Sequence, residues 1–341
     1  MKRLIIAVCL LAFLLSGCTG PGAQEQTQYT ATYLTLFDTV TTIMGRADSE
    51  ADFTATAQAL HDEMLEYHQL FDIYNDYEGL NNLKTINDQA GIAPVQVDRR
   101  IIDLLLDCKT YCEATGGRVN VAMGSVLFLW HEARNDGLED FANAYLPDMA
   151  ALEQASLHTD IDTVIIDEAA STVFLSDPEM RLDVGAIAKG WSVQKVCETA
   201  PAGLLVSVGG NVFATGPKDA AGTPWVIGVQ NPDGGDNYLH TLYLTSGSMV
   251  TSGDYQRAYM VDGEMYHHII DPDTLYPSTY WRSVTIVCPD SGLADALSTA
   301  LFLLPQAEGQ QLLDKFEAKA MWVASDGTIS YSPGFEDLIR T

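Results

Sequence analysis

Apolar side chains recur at Phe53, Ala57, Leu60, Met64 and Tyr67, the three-and-four spacing of one helix face, so the pattern predicts an amphipathic helix over Asp52–Leu70. Asp98–Thr115 repeats it with Ile101, Ile102, Leu105 and Cys112 inward, and Gly116-Gly117 stops it. A third helix is expected over Pro147–Ser156, and a last one over Gly292–Leu304, apolar almost all round and therefore buried. The β-branched alternation of Thr32–Arg46 predicts a strand, and Thr163–Ile166 with Thr172–Leu175 a hairpin. Further strands are expected at Gly203–Val208, Val212–Thr215, Trp225–Gln230, Leu239–Thr245, Ala258–Val261 and Ser283–Val287. Between these lie a polar loop over 71–83, an apolar run over Arg118–Trp130 interrupted at Asn120, and an acidic connection over Asn135–Asp148. Strands and helices do not alternate regularly, which predicts an α+β fold in a single mixed α/β domain over residues 31–341.

Polar residues interrupt this pattern in five places. Residues 181–191, Arg-Leu-Asp-Val-Gly-Ala-Ile-Ala-Lys-Gly-Trp, read as a strand ending at Leu182-Asp183, a glycine turn at Gly185, and a helix from Ala186 to Glu198. The first amides of a helix lack partners and carry its positive dipole end, so this start suits a phosphate, and Lys189 adds a full charge. Gly209-Gly210 breaks the strand that precedes it, as a β-bulge or as room for a ligand. Thr251-Ser-Gly-Asp-Tyr reads as a polar turn. In Tyr266-His-His-Ile-Ile-Asp-Pro-Asp-Thr274, neighbouring histidines on a strand point to opposite faces, so His267 and His268 are not a chelating pair. On the last helix Asp295 and Thr299 are four apart and share a face, which suits a hard cation, Mg²⁺ or Ca²⁺; a capping or salt-bridged carboxylate is the alternative.

Lys2 and Arg3, the apolar run Leu4–Leu15, and Leu15-Ser-Gly-Cys18 form a bacterial lipoprotein signal over residues 1–17. Cys18 is the expected lipid attachment point, and residues 18–30 the lipidated cysteine with a flexible tether. This predicts a soluble domain held at the extracytoplasmic face of the cell membrane. Loss of residues 1–17 takes two basic and no acidic residues, moving the formal charge from −28 to −30. So negative a chain is unsuited to nucleic acid or to an unaided hold on anionic lipid. Cys108 and Cys112 lie a helical turn apart, but no histidine or second pair completes a zinc pattern, so they and Cys197 and Cys288 read as buried structural thiols.

Taken in order, Asp183-x-Gly-Ala-Ile-Ala-Lys-Gly, Ser-Val-Gly-Gly-Asn, Thr-Ser-Gly-Asp-Tyr, His-Ile-Ile-Asp-Pro-x-Thr and Ala-Asp-Ala-Leu-Ser-Thr-Ala resemble the ApbE family of flavin transferases, over nearly the whole chain from Thr32 onward. The resemblance implies an enzyme that takes FAD as substrate, uses Mg²⁺, attaches FMN through its phosphate to a Thr or Ser of a target protein, and releases AMP. Such targets are extracytoplasmic parts of membrane redox complexes and reductases. By position it implies Asp183 and Lys189 as FAD contacts, Tyr74 as an aromatic at the flavin, and Phe37, Arg118, Val119, Asn120, Ser252, Gly253 and Ile269 as further flavin-site residues. The Ala186 carbonyl, Asp295 and Thr299 match the metal ligands. His268, or Asp271 acting through it, matches the base for the acceptor hydroxyl.

Three positions depart from the family pattern. Phe37-Asp38-Thr39 stands where many members have Met-Gly-Thr, Val119-Asn120 replaces Phe-Asp, and Leu275 replaces the glycine after Pro-x-Thr. Two alternatives keep the same pocket: a pyrophosphatase that gives FMN and AMP with water as acceptor, and a non-catalytic flavin-binding lipoprotein. A solute-binding lipoprotein would need a two-lobed α/β pattern that the chain lacks.

Overall fold

The computed structural model describes residues 26–235 and 237–341. The expected lipoprotein signal, Cys18 and the expected tether up to residue 25 lie outside the described residues. The frame is an eight-stranded antiparallel sheet. Its strands, neighbour to neighbour, are Thr27–Leu36, Thr39–Ala47, Leu204–Val208, Asn211–Ala214, Gly247–Gly253, Trp281–Cys288, Lys319–Ala324 and Ile329–Tyr331. The helices Glu50–Leu70, Ala188–Thr199 and Ser291–Phe302 cover one face. The hairpin Trp225–Gln230 and Tyr238–Leu244 covers the other.

Strand alternation decides which side chain enters which core. Ile43 and Val206 enter the large core beneath the helices, while Met44 and Leu205 enter the smaller one beneath the hairpin. Central strands are therefore apolar on both faces, which is why Leu204–Val206 shows no polar alternation. The architecture is the expected α+β single mixed domain, and all four described cysteines are buried and free. No described helix is long and apolar enough to cross a membrane.

Several elements differ from expectation for identifiable reasons. The predicted strand Thr32–Arg46 is two strands joined at Phe37-Asp38, whose φ values of 51° and 54° make a left-handed turn with no glycine to announce it. Its first strand begins at Thr27, inside the predicted tether, because Tyr29 stacks on Phe53 with centroids 5.6 Å apart. Leu182-Asp183 is not a strand: Arg181 makes one bridge to Met123, and the helix starts at Ala188. The helix Gly124–Glu139 unites the end of the apolar run with the start of the acidic connection. Thr251–Gly253 is strand rather than turn. The chain also continues past the last predicted helix with Gln306–Leu313 and two sheet strands.

Candidate active site

The site begins where two helices touch. A Cβ on Gly190 would run into the carbonyl oxygen of Ser291 and the Cβ of Asp295, so only glycine lets the Ala188–Thr199 and Ser291–Phe302 helices approach this closely. That approach allows the Gly190 N–H to donate to Asp295 Oδ2 at 2.8 Å. Lys189 Nζ lies 3.8 Å from the same oxygen and donates to the Gly185 carbonyl at 3.3 Å. Asp295 is buried, and with Ala186 and Thr299 it lines the main cavity. Asp183 closes this wall: its Oδ1 accepts the Gly185 N–H at 2.8 Å.

His268 lines the same cavity. Its Nδ1 is 3.0 Å from the Gln256 carbonyl, which can only accept, so Nδ1 carries the proton and Nε2 keeps a free lone pair. Burial holds the imidazole far below its ordinary value, to about 3, with help from Arg257, His267 and Lys189; the Gln256 carbonyl pulls the other way. His268 is thus neutral at neutral pH. His267 is committed to the core: Nδ1 accepts from the Ile269 N–H at 3.2 Å, Nε2 donates to the Ser278 carbonyl at 2.8 Å, and the ring packs edge-on against Phe302. The two histidines do diverge, though on an irregular connection after Glu264–Tyr266 rather than on a strand.

An aromatic and apolar end completes the cavity, with Phe37, Tyr74, Val119 and Ile269 among its lining. Tyr74 is placed by Asp72, whose carboxylate accepts from the Tyr74 and Asn75 N–H groups, the Asn75 amide and the Tyr77 hydroxyl. Burial alone would raise Asp72, but these four donors hold it below the usual carboxylate range. Phe37 is set by an edge-on contact with His68 and by its N–H reaching His68 Nδ1 at 3.3 Å. Asn120 lines the cavity but spends its side chain locally, donating to the Thr159 carbonyl and accepting from the Ala122 N–H. Ser252 also lines it, hydroxyl to hydroxyl with Ser298 at 2.7 Å.

Three residues that sequence reasoning missed also line it. His131 places Nδ1 2.8 Å from the Tyr74 hydroxyl and Nε2 3.9 Å from Asp183 Oδ2, and burial lowers its pKa. Gln256 fixes the His268 tautomer through its carbonyl. Arg257 has a φ of 47°, a strained conformation for a residue with a side chain. No local motif marks them; the one available signal is that the chain has only 18 basic residues against 46 acidic, so a cation beside the polar Thr-Ser-Gly-Asp-Tyr run stands out.

Two expected site residues lie elsewhere. Asp271 does not line the cavity: its carboxylate takes the Arg118 guanidinium at 3.2 Å and the Asp273 N–H at 2.8 Å, so it serves a turn and an ion pair rather than a relay through His268. Arg118 does line the cavity, bridging Asp271 and Asp273, the latter at 2.6 Å. Gly253 is not among the lining residues, and a Cβ there would run into the Tyr255 ring. The turn is formed although Leu275 stands where the family has glycine. Leu275 takes φ 62°, at a cost of about 1–2 kcal/mol, while its buried side chain joins the Trp130 cluster and its carbonyl accepts the Trp130 indole N–H at 2.9 Å.

No three His, Cys, Asp or Glu side chains converge as a metal cage among the described residues. The residues present still suit a hard cation that keeps water and substrate oxygens: Asp295 is buried with one oxygen committed to a backbone N–H, and Thr299 and Ala186 line the same cavity.

A lysine, a buried carboxylate, a hydroxyl and a neutral histidine lining one cavity beside a helix start suit group transfer on a phosphorylated substrate. The chain belongs to the ApbE family, whose model matches residues 27–322, and it is a transferase. It is 37% identical to the FAD:protein FMN transferase of Treponema pallidum over 277 residues, covering 76% of this chain and 75% of that one. The Klebsiella pneumoniae FAD:protein FMN transferase is 33% identical, covering 73% of this chain and 78% of that one. The crystal structure of the ApbE protein of Thermotoga maritima superposes with a TM-score of 0.81 at 30% identity, covering 92% of this chain and all of that one. The flavin transferase ApbE of Vibrio cholerae shares the fold, with a TM-score of 0.75 at 21% identity and the same coverage.

Proposed function

We propose that this protein is an FAD:protein FMN transferase that requires Mg²⁺, links FMN through its phosphate to a Thr or Ser of an extracytoplasmic redox protein, and releases AMP. Cys18 would carry the lipid that tethers it to the outer side of the bacterial cell membrane. One observation carries the reading: Lys189, Asp295 and Thr299 line one cavity together with a neutral His268, whose Nδ1 is held by the Gln256 carbonyl and whose Nε2 keeps its lone pair.

The apolar end takes the isoalloxazine, stacked or edge-on against Tyr74 and Phe37. The first amides of the Ala188–Thr199 helix and Lys189 then meet the pyrophosphate. A divalent cation on Asp295, Thr299 and the Ala186 carbonyl would add positive charge against the same phosphates. His268 Nε2 takes the proton of the acceptor hydroxyl as its oxygen bonds to the FMN phosphorus, and the bond to the AMP oxygen breaks with its electron pair. Burial is the main reason His268 is a weak base; Arg257 and Lys189 add to it, and an arriving pyrophosphate offsets that cationic share.

Incubation of the soluble domain with FAD, Mg²⁺ and the flavin-free extracytoplasmic domain of a membrane redox subunit should give a covalent FMN adduct by mass spectrometry. Absence of adduct, while a known transferase labels the same domain, would refute the proposal.

A further inference from the structure

The cleft does not end at His268. A second cavity meets the first there, and Phe37, Asp38, Lys189, Arg257 and His268 line both. Ala186, Asp295, Thr299 and Tyr74 belong to the first alone, whereas Thr39, Val40, Thr42, Ser207 and Gln230 belong to the second alone. Thr42 and Ser207 are cross-strand partners. By alternation they face away from Ile43 and Val206, which pack beneath the helices. Thr42 and Ser207 therefore carry part of the second cavity onto the hairpin side of the sheet, while Ala186, Asp295 and Thr299 keep the first against the helices, and the two join at the strand ends.

The second cavity has a fixed frame. Gly209, at φ 51°, lies so close to Thr39 that any Cβ would collide with that side chain, and its N–H donates to the Val40 carbonyl at 3.2 Å. The two hairpin turns at 37–38 and 209–210 are thereby locked side by side. The walls that the second cavity does not share carry hydroxyls, a carboxamide and one valine, with no aromatic ring and no charge. Such walls offer nothing for a nucleotide to stack on, but they can hydrogen-bond an extended peptide backbone.

In-line transfer at phosphorus needs the entering and leaving oxygens on opposite sides, so a cleft filled by FAD from the helix side leaves the hairpin side for the nucleophile. On the reading of this chain as an FMN transferase, we propose that the second cavity is the acceptor channel. It receives a Thr- or Ser-bearing segment in extended conformation and delivers the hydroxyl to His268 Nε2. The hydroxyl oxygen bonds to the FMN phosphorus, the proton passes to Nε2, and the electron pair of the broken bond leaves on AMP.

Two bulky substitutions test this, Ser207→Tyr on the channel wall and Val40→Trp at a half-exposed position where no core is disturbed. Each is assayed with the wild type for FMN adduct on the flavin-free redox domain and for FAD affinity by quenching of flavin fluorescence. The channel predicts adduct formation slowed about tenfold or more in both variants, with FAD affinity held within about twofold. Unchanged adduct formation overturns it. So does FAD affinity falling in parallel with adduct, since the cavity would then house the adenylate half. The wild-type arm separates the two levels: an unlabelled acceptor there sinks the transferase reading itself, and the channel with it.

Discussion

The two walls of the cleft are built differently. The Lys189–Asp295–Thr299 wall rests on two helices packed so tightly that Gly190 has no room for a methyl group, and Asp295 is held by a backbone N–H. His268 stands on an irregular segment, and three residues that line the cavity with it, Phe37, Asp38 and Arg257, take left-handed conformations that favour glycine. The helical wall fixes where phosphates sit, because moving Asp295 would mean separating two buried helices. The turn wall concentrates backbone strain where the reacting groups converge, and its side chains are what the strain retains.

The comparison can be broken most severely on the helical wall. Asp295→Ala leaves the Gly190 N–H without its partner and removes the one carboxylate of the proposed cation set; adduct formation should fall by about 10²–10³-fold, read by initial rates with FAD and acceptor. Gly190→Ala adds one methyl yet should lose both activity and about 1–3 kcal/mol of stability, measured by denaturant unfolding. On the turn wall, His268→Ala should lower the rate about 10²-fold with little change in FAD affinity.

Arg257→Gly sharpens the contrast, because glycine accepts φ 47° without strain. Thermal stability should be unchanged or slightly higher, by up to about 1 kcal/mol, while the rate falls. Arg257 lowers the His268 pKa, so its removal should shift the acid limb of the pH–rate profile to higher pH. The smallest effect concerns folding. The His268 pKa lies below its unfolded value, so its contribution is intact above about 6.5. Stability is lost as pH falls from there toward about 3, because the unfolded chain takes up a proton that the folded one refuses. His268→Gln should flatten that slope in an acid titration of stability.

The helical wall was the more legible in sequence. Asp295 and Thr299 stand four apart on an otherwise apolar helix, and a local period reveals such a pair. The role of Gly190 was hidden, because its partner is 105 residues away and the glycine reads locally as one residue inside the predicted helix. The same distance effect misplaced Asp271, whose partner Arg118 is 153 residues away while His268 is three. The turn at Phe37-Asp38 was invisible because tertiary packing, not glycine, imposes its left-handed backbone. His131 and Arg257 belong to no local motif; only the fold brings them to the cavity.

The most direct measurement of the central claim is the fate of FAD when the purified enzyme, Mg²⁺ and the flavin-free redox domain are combined and both proteins and nucleotides are followed by mass spectrometry. The account predicts that the acceptor gains the mass of FMN less water on a Thr or Ser, with one AMP released per adduct. Free FMN and AMP beside an unmodified acceptor, or FAD left intact, would contradict it.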